Sequence, residues 1–149
     1  MKPDIDTILN LSAAEIMSTL APALPTGYAQ GTASIISMLM MFSAQEHERG
    51  ADIRHTENQN MRALFAKLAA DVSDAGLRTK IEIAAKTKDE TFGISALNAA
   101  NYELKRLLIA LQIYFESENN KSSQNARREI WKILKAGADA RVLSIPASA

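Results

Sequence analysis

Apolar residues recur at alternating intervals of three and four over two stretches of the chain, and that rhythm predicts two long amphipathic helices. Asn58-x-x-Met61-Arg62-x-Leu64-Phe65-x-x-Leu68 matches Asn101-x-x-Leu104-Lys105-x-Leu107-Leu108-x-x-Leu111 at a constant offset, without a gap. Each segment extends to one more apolar residue, Val72 in the first and Phe115 in the second. In heptad terms Asn58, Phe65 and Val72 take one seam position, with Met61 and Leu68 at the other. Asn101, Leu108 and Phe115, with Leu104 and Leu111, repeat the scheme. Such a stripe packs knobs into holes against a helical neighbour, in the same chain or in a second copy. A lone asparagine on it costs stability but specifies register, because its amide needs a partner. The sharper reading, a duplicated unit with a repeated binding role, has only two occurrences, whereas repeat arrays need about three.

Projecting the heptad backwards puts Ala44, His47, Ala51 and Arg54 on the same seam. If the two long helices run antiparallel with Phe65 near Leu104, Arg54 meets Glu116 or Glu118, and an ion pair with one of them is expected.

The other elements follow from caps and breakers. Residues 1–11 read as a lead-in, and Ser12-Ala13-Ala14-Glu15 as a capping box opening a short helix over 13–21. Pro22 and Pro25 end it. Thr26 is the next N-cap, and 27–72 reads as one long helix or two pieces jointed at Gly50. Ile35-Ile36-Ser37-Met38-Leu39-Met40-Met41-Phe42 is apolar on every side, which predicts burial all round. Further helices are expected over 77–88, over 96–118 capped by Ser95, and over 124–136, with Gly137 at the C′ position. The tail 144–149 reads as frayed. No stretch alternates as a strand does. The expected fold is all-α: a single domain over 1–149, a bundle of about five helices built on two long antiparallel amphipathic ones.

Candidate chemistry is sparse. The one dense polar run, Glu46 to Glu57, holds both histidines. Glu48, Asp52 and His55 fall on one helix face and are the candidate ligands of a divalent metal. The paired Glu-x-x-His motifs of bundle di-iron sites are missing. His47 among acids is the candidate for a small-ligand or acid–base site, yet no nucleophile or oxyanion donor accompanies it. Met38 and Met41 belong to a soft, adaptable surface suited to core or interface. Trp131, beside the apolar side of the last helix, is a packing or interface anchor. Together with His47, Arg54, Asn58 and Asn101 these form the candidate binding set.

Composition narrows the class. The 149 residues are 47% hydrophobic and only 5% aromatic, with much alanine, which favours helix over sheet. With no cysteine, disulfide, thiolate and cysteine–zinc chemistry are excluded. The net charge of zero argues against a nucleic-acid binder. Charge is uneven: Lys2 stands against Asp4, Asp6 and Glu15 early, while Lys121, Arg127, Arg128, Lys132 and Lys135 outnumber Glu129 late. No secretory signal or bilayer-length apolar run is read, so a cytoplasmic protein without membrane contact is expected.

Asn98-Ala99-Ala100-Asn101 before Leu104-Lys105-Arg106-Leu107-Leu108 is similar to the asparagine-rich stretch that precedes a late amphipathic helix in flagellar export chaperones. The likeness covers about a quarter of the chain, which lacks the glutamate-rich first helix of those proteins, and no functional residue carries over. It implies a cytoplasmic helical hairpin that binds a protein partner. The residues themselves favour a non-enzymatic interaction module, a homodimer without cofactor. A small-ligand or metal site around His47 and His55 is the alternative, and an export-chaperone-like partner binder the third reading.

Overall fold

The computed structural model describes residues 3–118 and 120–144. Among them every regular element is helical and none is a strand. α1 (Ile5–Glu15) passes without interruption through a π-helical stretch (Ile16–Leu20) into a last turn, α2 (Ala21–Ala23). Then follow α3 (Gly27–Leu68) with a 3-10 turn (Ala69–Asp71), α4 (Ala75–Lys86), α5 (Ile94–Ser117) and α6 (Lys121–Ala140). The expected all-α bundle is therefore present. Of the tail expected to fray, residues 145–149 lie outside the described residues.

Several boundaries move, each for a local reason. The first helix starts at Ile5 behind an extended Asp4, so it already runs through the Ser12–Glu15 box, and 5–11 is helix where a lead-in was expected. Pro22 does not stop the helix at once. The π-helical stretch directly precedes it, a widened register at the point where the proline nitrogen has no hydrogen to donate. Leu24, held extended before Pro25, makes the break. Thr26 caps α3 as expected, its Oγ1 accepting from the Ala29 amide at 3.2 Å. Gly50 is not a joint: α3 continues for 42 residues, and one helical glycine costs only about 1 kcal/mol relative to alanine. Asp74 caps α4 through the Leu77 amide, and Asn120 with Ser123 forms a capping box that starts α6 early. Gly137 lies buried inside α6 and is no C′ residue.

The chain divides into two compact units, Met1–Gly50 with Val142–Ala149, and Ala51–Arg141. In the larger unit the end of α3 packs with α4, α5 and α6 around Met61, Phe65, Val72, Leu104, Leu108, Leu111 and Phe115. From Asn58 to Val72 and from Asn101 to Phe115 both predicted seams, asparagines included, are buried at every position, whereas the backward projection fails at His47. The seams are satisfied within one chain.

The two seam helices run parallel, not antiparallel. Arg54 Nε donates to Asn98 Oδ1 at 2.6 Å, Asn101 Nδ2 to Asn58 Oδ1 at 2.9 Å, and the Ser73 amide to the Tyr114 hydroxyl at 2.9 Å. Residue numbers on the two helices thus rise together. α4 and α6 run against them: Arg62 meets Thr87 while Arg78 meets Val72, and Arg141 meets Glu57 while Glu129 meets Lys67. The expected ion pair of Arg54 with Glu116 or Glu118 belongs to the antiparallel alignment and is replaced by the bond to Asn98.

The smaller unit is a hairpin of α1, its π-helical extension, α2 and the first half of α3. Its closely packed positions are small: Ala13, Ala21, Ala33, Ser37 and Ala44 are buried, and Ser37 Oγ donates to the Ala13 carbonyl at 2.8 Å. The apolar run 35–42 is therefore not buried all round. Ile35, Ile36 and Leu39 are 55%, 47% and 54% exposed, because the small-residue side of α3 makes the contact and the large side chains point elsewhere.

Candidate interaction surface

The larger unit carries a buried polar ladder. Asp89, in the connection between α4 and α5, has a side chain only 1% exposed. Its Oδ1 accepts from Arg62 at 2.7 Å and from Asn58 Nδ2 at 3.1 Å, and its Oδ2 lies 2.7 Å from His55 Nδ1. Glu57 is held in the same manner: its Oε2 accepts from Asn101 Nδ2 at 2.9 Å and from Lys105 Nζ at 3.3 Å, with Arg141 as a third donor. The asparagines, 43 residues apart, bond to each other and join the two clusters.

Each repeated segment thus does the same chemistry. The asparagine and the base four residues later, Asn58 with Arg62 and Asn101 with Lys105, grip one buried carboxylate. Burial pushes both carboxyls up, but the opposing bonds win. Arg62, His55 and Asn58 hold Asp89 below its usual range. Arg141, Lys105 and Asn101 do so for Glu57. Among the described residues no buried side-chain polar atom lacks a partner. A buried network in which every polar atom has a partner specifies one packing of the helices.

The candidate residues separate accordingly. Asn58, Asn101 and Arg54 belong to this internal network. His55 Nδ1 faces Asp89, its Nε2 lies 2.8 Å from Gln59 Nε2, and Phe92 meets the ring edge-on at 4.9 Å between centroids. Glu48 and Asp52 are exposed, and among the described residues no group of three or more histidine or acidic side chains converges as a metal site would. His47 is exposed rather than on a seam. Sequence reasoning missed Glu57, Asp89 and Arg141. The available signal was the match of Arg62 with Lys105, two bases one residue past Met61 and Leu104 on the edges of the seams, each calling for an acid.

Apolar surface is what stays open. On α3, Tyr28, Ile35 and Leu39 are exposed at spacings of seven and four, with Thr32 between them in the same row. Ala33, Ser37 and Ala44 bury the opposite side, while Met38 and Met41 are half-buried on the flank. From Ile16 to Gln45 the chain carries no charged residue. Such a face with no local partner is the usual mark of an interaction site. None of the helices described is long and apolar enough to cross a membrane. A second exposed apolar patch surrounds Trp131 on α6. Comparison with protein-family models, with curated proteins and with solved structures finds no match to this chain.

Proposed function

We propose that this protein is a non-enzymatic interaction module that self-associates through the outer face of α3. One observation carries the reading: Tyr28, Ile35, Ile36 and Leu39 stand exposed on an uncharged helix face whose opposite side is already packed. Alternation by four and three is the spacing of a helix–helix seam, here without a neighbour in its own unit. An uncharged face is suited to meeting its own copy, because a twofold contact brings like residues together and any net charge would repel itself. Full burial of an Ile or Leu contributes about 1.5–3 kcal/mol, and these are half-buried already, so each adds about 1 kcal/mol on pairing. The heptad seams of the larger unit are occupied internally and take no part.

Light scattering across a concentration series tests this. The wild-type chain should double its mass as concentration rises, and Leu39→Glu should gain less mass than wild type over the same series, with unchanged helical circular dichroism. A wild-type monomer throughout, or a dimer indifferent to Leu39→Glu, would remove the proposal.

A further inference from the structure

The patch around Trp131 has a different character from the α3 face. Trp131 is 68% exposed, and with Arg127 and Leu134 it lines one wall of a shallow groove of about 190 Å³ between α5 and α6. On α5, Ile109 and Ile113, 58% and 62% exposed, sit one turn before the residues of the facing wall, Gln112 and Glu116, and widen the apolar strip. The rim is basic. Among the described residues neither Arg127 nor Arg128 has an acidic partner, whereas Lys132 and Lys135 are paired with Glu129 and Asp139. An exposed tryptophan in a groove with unpaired arginines on its edge is the composition of an interface anchor.

One helix of this same chain has the opposite character. From Asp4 to Glu15 there is no base, and Asp4, Ile8, Leu11 and Glu15 fall in one row along α1, away from the Ala13 side that packs on α3. Ile8 and Leu11 are exposed. The row spans about 16 Å, with an acid at each end. Arg127, Trp131 and Leu134 follow the same spacing of four then three, so the two rows offer ridges of matching pitch with opposite charge.

We infer that the α5–α6 groove around Trp131 receives the exposed acidic row of α1 from a second copy of this chain. Ile8 and Leu11 would cover Trp131 and Leu134, and an acid of α1 would face Arg127 and Arg128. The contact is separate from the α3 face and goes beyond the self-association argued above.

Trp131 is the chain's only tryptophan, so its emission reports on this groove alone. The experiment titrates a dark full-length copy, Trp131→Phe, onto the wild-type chain and follows the emission maximum. A saturable blue shift is expected, weakened by salt because exposed charges take part. A dark copy also carrying Ile8→Glu and Leu11→Glu should bind at least about tenfold more weakly. A reporter with Arg127→Glu and Arg128→Glu should lose the shift and regain it from a dark copy with Asp4→Lys and Glu15→Lys. All these positions are exposed or half-exposed, and circular dichroism confirms folding of each variant. Leu39→Glu in both copies should leave the shift in place. Emission that ignores the dark copy overturns the inference. So does a shift that survives Ile8→Glu and Leu11→Glu, which would assign the groove to another segment, and so does a shift lost with Leu39→Glu, which would assign it to the α3 face.

Discussion

Asn58 and Asn101 occupy equivalent places in two repeated segments, and they bond to each other across the core, Asn101 Nδ2 donating to Asn58 Oδ1 at 2.9 Å. The parallel course of α3 and α5 makes this possible, since a constant offset in sequence becomes a constant level in space. Each amide also serves a carboxylate, so the pair is the rung connecting Asp89 to Glu57.

That rung should be measurable. Asn58→Ala and Asn101→Ala each strip a donor from a buried acid and leave the other amide short of a partner, which should destabilise the fold by about 1–3 kcal/mol apiece. In urea unfolding the double variant should lose less than the two single losses added, with a coupling of about 1 kcal/mol. Additivity within about 0.3–0.5 kcal/mol would mean that the amides do not act as a unit.

Gly137 is tied to the same ladder. A Cβ there would lie 2.5 Å from Glu57 Oε1. An unattached glutamate would swing aside cheaply, but Glu57 is held by Asn101, Lys105 and Arg141. Gly137→Ala should therefore destabilise by about 1–3 kcal/mol, although alanine is the better helix former by about 1 kcal/mol. A raised melting temperature in that variant would show that α6 has room to withdraw.

Acid should unfold the protein through these two carboxylates. Both have folded-state pKa values below their ordinary values of 3.8 for Asp89 and 4.5 for Glu57. A depressed carboxylate contributes stability that is complete above its unfolded pKa and is lost as pH falls through the folded one. The urea midpoint should hold steady above about pH 5 and drop progressively below about pH 4. Glu129, lowered to about 2 by Lys132 and Lys67, is a surface group and should leave little trace in this profile. A midpoint unchanged between about pH 5 and pH 2 would mean that the ladder adds nothing to the fold.

The burial of Met61, Phe65, Val72, Leu104, Leu108, Leu111 and Phe115 was legible in the chain, and so was the special place of the two asparagines. Periodicity is a local property, and a stripe repeated every three and four residues marks a buried face whatever lies opposite. Direction is another matter. A heptad stripe reads the same for a parallel or an antiparallel neighbour, and α4, the return element that makes α3 and α5 parallel, decided it. Arg54 consequently found Asn98 rather than an acid at the far end of α5. The partners of Arg62 and Lys105 were equally beyond reach, because Asp89 sits in a connection without periodicity and Glu57 lies one residue from the seam it serves. The fate of the apolar run 35–42 depended on which side of α3 the hairpin uses. Pattern alone states that Ile35 and Leu39 call for cover. Only tertiary packing, in which Ala33, Ser37 and Ala44 take the contact inside the hairpin, leaves those larger side chains exposed.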